Sequence, residues 1–577
     1  MELLAEGGYM VGKMAQLLYP EGIEIKTDKG TLAAIEQTQE LLKRERVILF
    51  EPAIYSDHKL VRIDILIKDG NRFQLIEVKS KSLDGDEHIE ARQTGGSLFI
   101  GRGNVIKSEW QPYLEDVTFQ TLVLQEVFPQ AEVTPFLLLP DKAKRTQLEG
   151  LLGWFHIAER TVTSKGFKSY EVVFNGDAAL LREDSILSLI DVTRESAMLA
   201  PIVHKAALTY VTQLRSGLAQ KTITPLTKDC RECEFNVVGA PQNGFLECWG
   251  ELATPNPHIF DLYYMGTIGG NKAPYVNELI AQGKTSLYDM PDSRLTGKRG
   301  DRQKIQIAYT KKNEEWIDPA LAEKMKECRY PLHFIDFETS RMALPYHKGM
   351  RPYEQVIFQW SCHTISEAGA APTHAEWINV ESTFPNFEFA QKLKEHLGNT
   401  GTVFMWATHE NSALRDIYEQ MEVYGCNDAA LQAWLLSMIK FDKDDDEKML
   451  NLCKWTEDFY FHPAMKGRTS LKVVLPAIWN NNAYLHEIPY LKKYVQKLDG
   501  KLLDPYKTLV SLPIAEQAEV IKDGTGAMRA YQEMMYGLSS NDQAIRQNWA
   551  KLLLQYCELD TMAMVIVWLH WSGLFKI

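Results

Sequence analysis

The sequence has few cysteines, and none of them lies before Cys230. Three of the eight fall in the segment 230–248, and the other five are scattered along the rest of the chain: Cys328, Cys362, Cys426, Cys453 and Cys557. Scattered single cysteines are typical of reduced thiols in a protein core and not of a disulfide framework. The pattern therefore indicates a reducing compartment.

Long apolar runs and an N-terminal leader are also missing. No run approaches the roughly 18 apolar residues that a membrane-spanning helix needs. The first ten residues, MELLAEGGYM, show no basic segment followed by an apolar one, so no secretory signal is visible. We therefore expect a cytoplasmic protein with no membrane partner.

Basic residues are not in excess. The chain has 63 Lys and Arg against 76 Asp and Glu, which gives a net charge of -13. This balance argues against a protein that coats nucleic acid by bulk charge. It does not exclude a nuclease, because an acidic active site recruits metal ions while local basic patches hold phosphate.

The chain is organised around one polar interruption. At 577 residues it is too long for a single hydrophobic core, and no unit of about 20 to 50 residues repeats. Strand and helix patterns alternate before and after the polar stretch 285–306, which indicates two α/β domains and a connection. The predicted parts are an α/β domain at 1–225, a cysteine segment at 226–255, a connection at 256–329 and a second α/β domain at 330–577.

A first group of candidate site residues lies in VRIDILIKDGNRFQLIEVKS, residues 61–80. Two alternating runs flank a KDGN turn, which predicts a β-hairpin. The hairpin can bring together Asp64, Glu77 and Lys79. Two carboxylates can hold Mg²⁺ or Mn²⁺, and the lysine can orient water and offset charge on phosphorus. A lone ExK pattern is more often a solvated strand face with an ion pair.

The spacing of Asp64, Glu77 and Lys79 resembles the PD-(D/E)XK nuclease signature, in particular its RecB-like branch with the CRISPR-associated exonucleases. The resemblance implies a restriction-endonuclease-like core. It also implies roles for an upstream acid, matched by Glu51, and for the glutamine of a QxxxY-like helix, matched by Gln120. Leu124 stands where the tyrosine of that motif is expected.

Three clustered cysteines, Cys230, Cys233 and Cys248, predict a metal site of the zinc or iron-sulfur type. RecB-like relatives often carry an iron-sulfur cluster with three such cysteines and a fourth N-terminal one, which this sequence lacks. Three alternatives stay open: the fourth cysteine lies upstream of Met1, another residue completes the site, or the site is degenerate. His258 is the nearest downstream histidine, although a lone histidine is more often structural.

A second group of candidate residues lies in the last 250 residues. Asp336 and Glu338 share one face of the predicted strand PLHFIDFETS, and Tyr556 and Asp560 share one face of a predicted C-terminal helix. Glu410 stands between them, where a strand is predicted to run into a helix. The acidic run DKDDDE at 442–447 is interpreted as a solvated loop.

This pattern resembles the DnaQ-like exonuclease superfamily in its tyrosine-bearing subgroup, which has an RNase H-like fold. The resemblance implies that four acids hold two metal ions and that the tyrosine orients the attacking water in 3'-to-5' removal of nucleotides. Glu410 occupies the position where that superfamily usually has Asp.

Nearly the whole chain is similar to a bacterial family of unknown function that fuses a RecB-like nuclease to a DnaQ-like exonuclease. Near the second site, Lys466, Arg468 and Lys472 are candidates for contacts with substrate phosphates, or else ordinary surface charges. The expected function is a Mg²⁺- or Mn²⁺-dependent nuclease, with DNA favoured over RNA, in DNA processing, repair or defence. The alternatives are that one domain only binds or guides the strand, that the enzyme trims RNA, or that the protein is a non-catalytic scaffold.

Overall fold

The computed structural model describes residues 2–162, 168–218, 224–237, 239–270, 272–515 and 517–575. The chain forms two compact units. Unit 1 comprises Met1–Thr222, Ser340–Val356 and Tyr536–Leu538, and unit 2 comprises Ile223–Thr339, Ile357–Met535 and Ser539–Ile577. Both units combine helices with β-sheet, as the alternating sequence patterns predict.

Unit 1 is built on a mixed six-stranded sheet in the order β1-β2-β5-β6-β9-β12. Its strands are β1 Ile23–Glu24, β2 Arg46–Phe50, β3 Ala53–Ser56, β4 Lys59–Arg62, β5 Ile65–Asp69, β6 Arg72–Val78, β7 Ile100–Gly101, β8 Val105–Ile106, β9 Glu132–Pro140, β10 Phe155–Val162, β11 Lys168–Phe174 and β12 Leu187–Asp191. Its helices are α1 Glu2–Leu17, α2 Thr31–Leu41, α3 Gly85–Gln93, α4 Gln111–Val127, α5 Ala178–Glu183 and α6 Thr193–Arg215.

The predicted hairpin is confirmed and forms the middle of this sheet. β5 pairs antiparallel with β6, and Asp69 lies opposite Arg72 across the turn. Gly70 has a φ of 62° there, a conformation that glycine adopts without steric cost. β6 also pairs in parallel with β9, so it is covered on both edges and its residues Leu75 and Ile76 are fully buried. The hairpin is therefore a rigid base for side chains at its open end.

The segment Ser340–Val356, which lies between two stretches of unit 2 in the sequence, belongs to unit 1. Arg145 donates to the carboxylate of Glu354 (2.9 Å), and Glu149 pairs with His347 (2.9 Å). The hydroxyl of Tyr353 donates to the carbonyl oxygen of Ser80, one residue after Lys79. The predicted continuous domain at 330–577 therefore differs from the structure, because these polar contacts fix an internal loop within unit 1.

Unit 2 contains a mixed five-stranded sheet in the order β16-β15-β14-β17-β18, in which β14, β17 and β18 run parallel. Its strands are β13 Trp316–Ile317, β14 Leu332–Ser340, β15 Val356–Ile365, β16 Thr373–Ile378, β17 Thr402–Met405, β18 Leu450–Asn451, β19 Tyr460–Phe461, β20 Lys497–Leu498, β21 Lys501–Leu502, β22 Leu512–Ile514 and β23 Gln517–Glu519. Its helices are α7 Gly244–Trp249, α8 Tyr275–Ala281, α9 Gly297–Lys312, α10 Ala320–Lys326, α11 Asn386–Leu397, α12 His409–Val423, α13 Ala429–Met438, α14 Leu452–Phe459, α15 Leu471–Trp479, α16 Gly524–Tyr536 and α17 Gln543–Phe575.

The stretch 256–329 is folded and does not form an extended tether. Ile259, Leu279 and Leu287 are fully or almost fully buried in a small core with Trp249. Arg302 of α9 is buried and donates to the carbonyl oxygen of Tyr460. The polar composition of 285–306 is misleading, because the buried side chains of Leu287, Met290 and Leu295 are enough to join this stretch to the core.

Helix α17 is the longest of the described helices. By length and composition alone it could cross a membrane. However, 78% of its most apolar window is buried inside the protein. Val565, Ile566 and Trp571 pack in the core that contains Phe334 of β14. Burial on nearly all sides is the behaviour of a core helix in a folded domain.

Candidate active sites

The first site lies at the open end of the β5–β6 hairpin. The N–H of Val78 donates to Oδ2 of Asp64 (2.7 Å), which fixes that carboxylate beside β6. Oε1 of Glu77 lies 2.6 Å from Nζ of Lys79, and Oε2 of Glu77 accepts from Nε2 of Gln120 (2.7 Å). The structure therefore brings Asp64, Glu77, Lys79 and Gln120 together, as predicted from the sequence.

Asp116 belongs to this site and was not predicted. It lies on α4, one turn before Gln120, and its carboxylate accepts from Nζ of Lys79 (2.7 Å). Gln120 also reaches Oδ1 of Asp116 at 3.4 Å. The i, i+4 spacing of Asp116 and Gln120 on one helix face was a signal that could have identified it.

Glu51 lies in the turn between β2 and β3 with a φ of 55°, and its N–H donates to the carbonyl oxygen of Asp64. Its carboxylate pairs with Nε of Arg62 (3.3 Å). Burial raises the pKa of Glu51, Arg62 lowers it, and Glu77 raises it again. The upstream acid therefore lies within electrostatic range of the hairpin carboxylates.

Burial and mutual repulsion change the protonation of the two central acids. Burial raises the pKa of Asp64 to about 7, against which the hydrogen bond from Val78 acts. Burial, followed by repulsion from Asp64, raises the pKa of Glu77 to about 8. Neighbouring carboxyl groups with raised pKa values favour binding of a divalent cation. The cation replaces their protons and offsets the repulsion between the two carboxylates with its double positive charge.

The raised pKa values predict that, without divalent ions, the protein loses stability as the pH rises. Between about pH 4 and pH 8 the folded state holds protons on Asp64 and Glu77 that the unfolded state has already lost, so the free energy of unfolding falls. The melting temperature in EDTA is expected to fall as the pH rises over this range. Addition of Mn²⁺ at the alkaline end should raise the melting temperature again.

Asp64→Asn should reduce the downward shift, because it removes one of the titrating groups. The matched control is Asp69→Asn, on the same hairpin but exposed and paired with Arg46 and Arg72. A melting temperature in EDTA that stays constant or rises towards alkaline pH would contradict the prediction.

The second site is assembled from three elements of unit 2. Strand β14 carries Asp336 and Glu338 on one face, and α17 carries Tyr556 and Asp560 one turn apart. Glu410 lies in the first turn of α12, directly after β17, and is 1% exposed. The structure thus brings all five predicted residues into one buried cluster, although they span more than 220 positions of the chain.

The carboxyl groups of this cluster repel one another strongly. Burial and then Asp560 raise the pKa values of Asp336 and Glu338 well above the usual range. Burial raises the pKa of Glu410 to about 8, and a hydrogen bond with Asp336 opposes this rise. Oε2 of Glu410 is buried and has no hydrogen-bond partner within the described part of the chain. An unpaired buried carboxylate oxygen fits an oxygen-preferring divalent cation.

Three neighbours complete the second site. Nζ of Lys472 donates to the hydroxyl of Tyr556 and lowers the pKa of Glu338 and Asp560. Tyr506 donates to Oδ1 of Asp560, and the thiol of Cys557 contacts Oδ2 of Asp336 at 3.3 Å. Asp336, Glu338 and Cys557 offer ligand atoms within 4.8 Å of one another. Tyr506 and Cys557 were not predicted from the sequence.

Tyr506→Phe is expected to weaken Mn²⁺ binding at the second site by roughly 10- to 100-fold, as losses of outer hydrogen-bond partners do. The variant removes the hydroxyl that orients Asp560 and leaves the ring in place. Calorimetric titration of Mn²⁺ measures the change. Tyr490→Phe, a half-buried tyrosine of the same core, is the matched control. Equal Mn²⁺ affinities of the two variants would exclude a role for the Tyr506 hydroxyl.

The three candidate phosphate-binding residues have different surroundings. Lys472 lies in the second site through its contact with Tyr556. Lys466 is exposed and lies 3.6 Å from Oδ2 of Asp261, and Arg468 is exposed. Of the three, the structure therefore brings Lys472 next to the predicted catalytic residues.

The cysteine segment has a different arrangement. Cys230 and Cys233 lie at a short helical turn and pack against the core around Phe245, whereas Cys248 of α7 is exposed. Among the described residues, the groups of three potential ligands within 4.8 Å do not include these three sulfurs. Both ring nitrogens of His258 already have backbone partners, Phe260 and Leu252. A metal at these cysteines stays a prediction.

Comparison with known proteins gives a match to one part of the chain. The model of a domain of unknown function (DUF2779) matches residues 333–470, which include Asp336, Glu338 and Glu410 but not Tyr556 or Asp560. No curated protein and no solved structure matches the chain. The match covers less than half of the chain, and its description carries no activity.

Proposed function

We propose that the protein is a metal-dependent nuclease that hydrolyses phosphodiester bonds of nucleic acid, with one active site in each unit. The observation that carries the proposal is the convergence of Asp336, Glu338, Glu410 and Asp560 in unit 2. They come from β14, α12 and α17, so their meeting is a product of the fold and not of sequence proximity.

A buried cluster of four acids is costly to a folded protein. Each ionised carboxylate loses hydration and repels the others, so such a cluster is retained where a cation or a reaction uses it. Asp336, Glu338, Glu410 and Asp560 would hold Mg²⁺ or Mn²⁺. The chemistry such an ion supplies is polarisation of the phosphodiester and a lowered pKa of water.

The residues around the acids have roles that fit hydrolysis. Lys472 holds the Tyr556 hydroxyl, which can then accept from or donate to a water molecule beside the phosphate. The positive charge of Lys472 also favours a phosphate group near the acids. This arrangement supports the role that the resemblance to DnaQ-like exonucleases implies for Tyr556.

Unit 1 supports a second nuclease site. Asp64 and Glu77 would hold the ion, Gln120 and Asp116 orient Glu77 and Lys79, and Lys79 would offset charge that develops on the phosphate. Glu51 and Arg62 extend the charged surface beside Asp64. The likeness of this unit to PD-(D/E)XK nucleases favours DNA as the substrate, and a role in DNA processing, repair or defence rests on that likeness alone.

The test uses the full chain with Mn²⁺ or Mg²⁺ and with end-labelled single- and double-stranded DNA and RNA. The wild type, Lys79→Ala, Asp336→Ala and the double variant are compared. The proposal requires that each single variant loses one cleavage activity and that the double variant loses both. Equal degradation by all four proteins would contradict it, and binding without cleavage by the wild type would favour a scaffold.

A second candidate function is a nuclease in which only unit 1 cuts and unit 2 binds the strand. Glu410 favours it, because this glutamate stands at a position where DnaQ-like enzymes usually have Asp. In that case Lys79→Ala alone abolishes all cutting, and Asp336→Ala changes only the affinity for nucleic acid.

A further inference from the structure

Strand β14 carries potential metal ligands on both of its faces. Asp336 and Glu338 lie on one face with Phe334, which packs in the core around α17. His333 is three positions from Asp336 and therefore lies on the opposite face with Ile335 and Phe337, which pack in the core around α11 and α12. A group of residues around His333 is thus separated from the second nuclease site by the sheet itself.

His333 meets two other metal-binding side chains on this opposite face. Cys362 comes from the neighbouring strand β15, and His396 comes from the last turn of α11. One ring nitrogen of each histidine and the sulfur of Cys362 lie within 4.8 Å of one another. His333 is 4% exposed and Cys362 is fully buried, whereas His396 is partly buried.

The hydrogen bonding of the two rings is incomplete. Nδ1 of His333 lies 3.0 Å from Oγ1 of Thr364, while its Nε2 is buried and has no hydrogen-bond partner in the described residues. Nε2 of His396 is likewise buried and unpartnered there. A buried imidazole nitrogen without a partner costs free energy, so two such nitrogens within one group of three side chains require an explanation.

Burial favours the neutral form of both rings. Burial and then His396 lower the pKa of His333, with the backbone of Thr400 opposing, and burial lowers the pKa of His396. A neutral ring whose Nδ1 bonds to a neighbouring side chain presents an Nε2 lone pair, as metal-ligating histidines do. Thr364 is in position to orient His333 in this way, and its hydroxyl also lies 3.5 Å from the sulfur of Cys362.

We infer that His333, Cys362 and His396 form a zinc-binding site on the face of the unit 2 sheet opposite the acidic cluster. Two imidazoles and one thiol are the donors that zinc prefers, whereas Mg²⁺ and Mn²⁺ prefer oxygen. Zn–N bonds of about 2.0 Å and Zn–S bonds of about 2.3 Å put the two nitrogens and the sulfur of a tetrahedral site roughly 3.3–3.5 Å apart. The three side chains therefore need to approach one another by about 1.5 Å at most, and one coordination position stays for a further ligand.

Such a site would join β14, β15 and α11 at one point, and β14 is the strand that carries Asp336 and Glu338. Thiolate formation at Cys362 would accompany binding, because zinc takes up the thiolate and releases the proton to solvent. The inference does not depend on the proposed nuclease function.

The test uses the full chain with Cys230, Cys233, Cys248 and Cys557 replaced by serine, so that neither the cysteine segment nor the acidic cluster can supply a thiolate. This protein is loaded with Co²⁺, whose charge-transfer absorption in the near ultraviolet reports a thiolate ligand. Three further variants are made in it: Cys362→Ser, His396→Gln and Cys426→Ser. Cys426 is the matched control, because it is a partly buried thiol that packs against the same core as Cys362.

The zinc site predicts one equivalent of thiolate-bound Co²⁺, displaced by one equivalent of Zn²⁺. Cys362→Ser should abolish the absorption, His396→Gln should weaken Co²⁺ binding at this site at least tenfold, and Cys426→Ser should leave both unchanged. His396 is partly exposed, so the His396→Gln variant keeps the test valid if circular dichroism shows that Cys362→Ser does not fold. The inference is overturned if the folded parent protein shows no thiolate band, or if the band responds to Cys426→Ser and not to His396→Gln.

Discussion

Asp336→Asn is expected to reduce the exonuclease activity that we propose for unit 2 by at least about 100-fold, since loss of an outer partner of a metal ligand alone costs about 10- to 100-fold. Asparagine keeps the shape of the side chain and its contact with Cys557 but removes one negative charge from the cluster. The release of labelled 3'-terminal nucleotides in Mn²⁺ measures the change, with Lys79→Ala as the common background so that unit 1 does not contribute.

The same substitution is expected to stabilise the metal-free protein. Asp336 is held among Glu338, Glu410 and Asp560, and each of them raises its pKa. A neutral side chain relieves this repulsion, so the melting temperature in EDTA should rise while the activity falls. Such a trade-off between stability and activity is common at functional sites. The control is Asp428→Asn, because Asp428 caps α13 and asparagine caps a helix about equally well. Unchanged nucleotide release by Asp336→Asn would contradict the assignment of the second site.

Lys79→Ala is expected to reduce the cleavage that we propose for unit 1 by roughly 10²- to 10³-fold, the usual cost of removing a group that stabilises charge in a transition state. Nζ of Lys79 lies 2.6 Å from Glu77 and 2.7 Å from Asp116, so its ammonium group is held in place. The assay is cleavage of internally labelled DNA with Asp336→Asn as the background.

The variant Lys79→Arg tests whether the activity needs only the positive charge at this position or also the shape of the lysine side chain. It keeps the positive charge but replaces a compact ammonium by a planar guanidinium, and it should recover only part of the activity. Lys68→Ala is the matched control, because Lys68 lies on the same hairpin and donates to the carbonyl oxygen of Arg44. If Lys68→Ala and Lys79→Ala cleave DNA equally well, Lys79 has no role in the reaction.

Local patterns were sufficient to predict several elements correctly. The hairpin of β5 and β6 follows from two alternating runs and a turn with glycine, and β14 follows from a short apolar run that contains Asp336 and Glu338. Helix α17 follows from its apolar residues and from the i, i+4 pair of Tyr556 and Asp560. In each case the residues that determine the element are neighbours in the sequence.

Other parts of the sites have no such signal. Tyr506 lies in a short turn without periodicity, 54 positions from Asp560, and Cys557 was one of several scattered thiols. The loop Ser340–Val356 was assigned to the wrong unit, because its apolar and aromatic residues do not indicate which core they enter. The domain boundaries were thus less predictable than the strands and helices.

The sequence by itself determined which residues carry charge and which local element each one occupies: acids on β6, β14 and α17, a lysine after β6, and histidines on β14 and α11. Only the tertiary structure decided which of them meet. It set Glu410 beside Asp336, Asp116 beside Lys79, and His333 beside Cys362 and His396. The physical reason is that pairing between distant segments follows from burial of whole sheet and helix faces, and a local stretch of sequence contains no information about its partner's face.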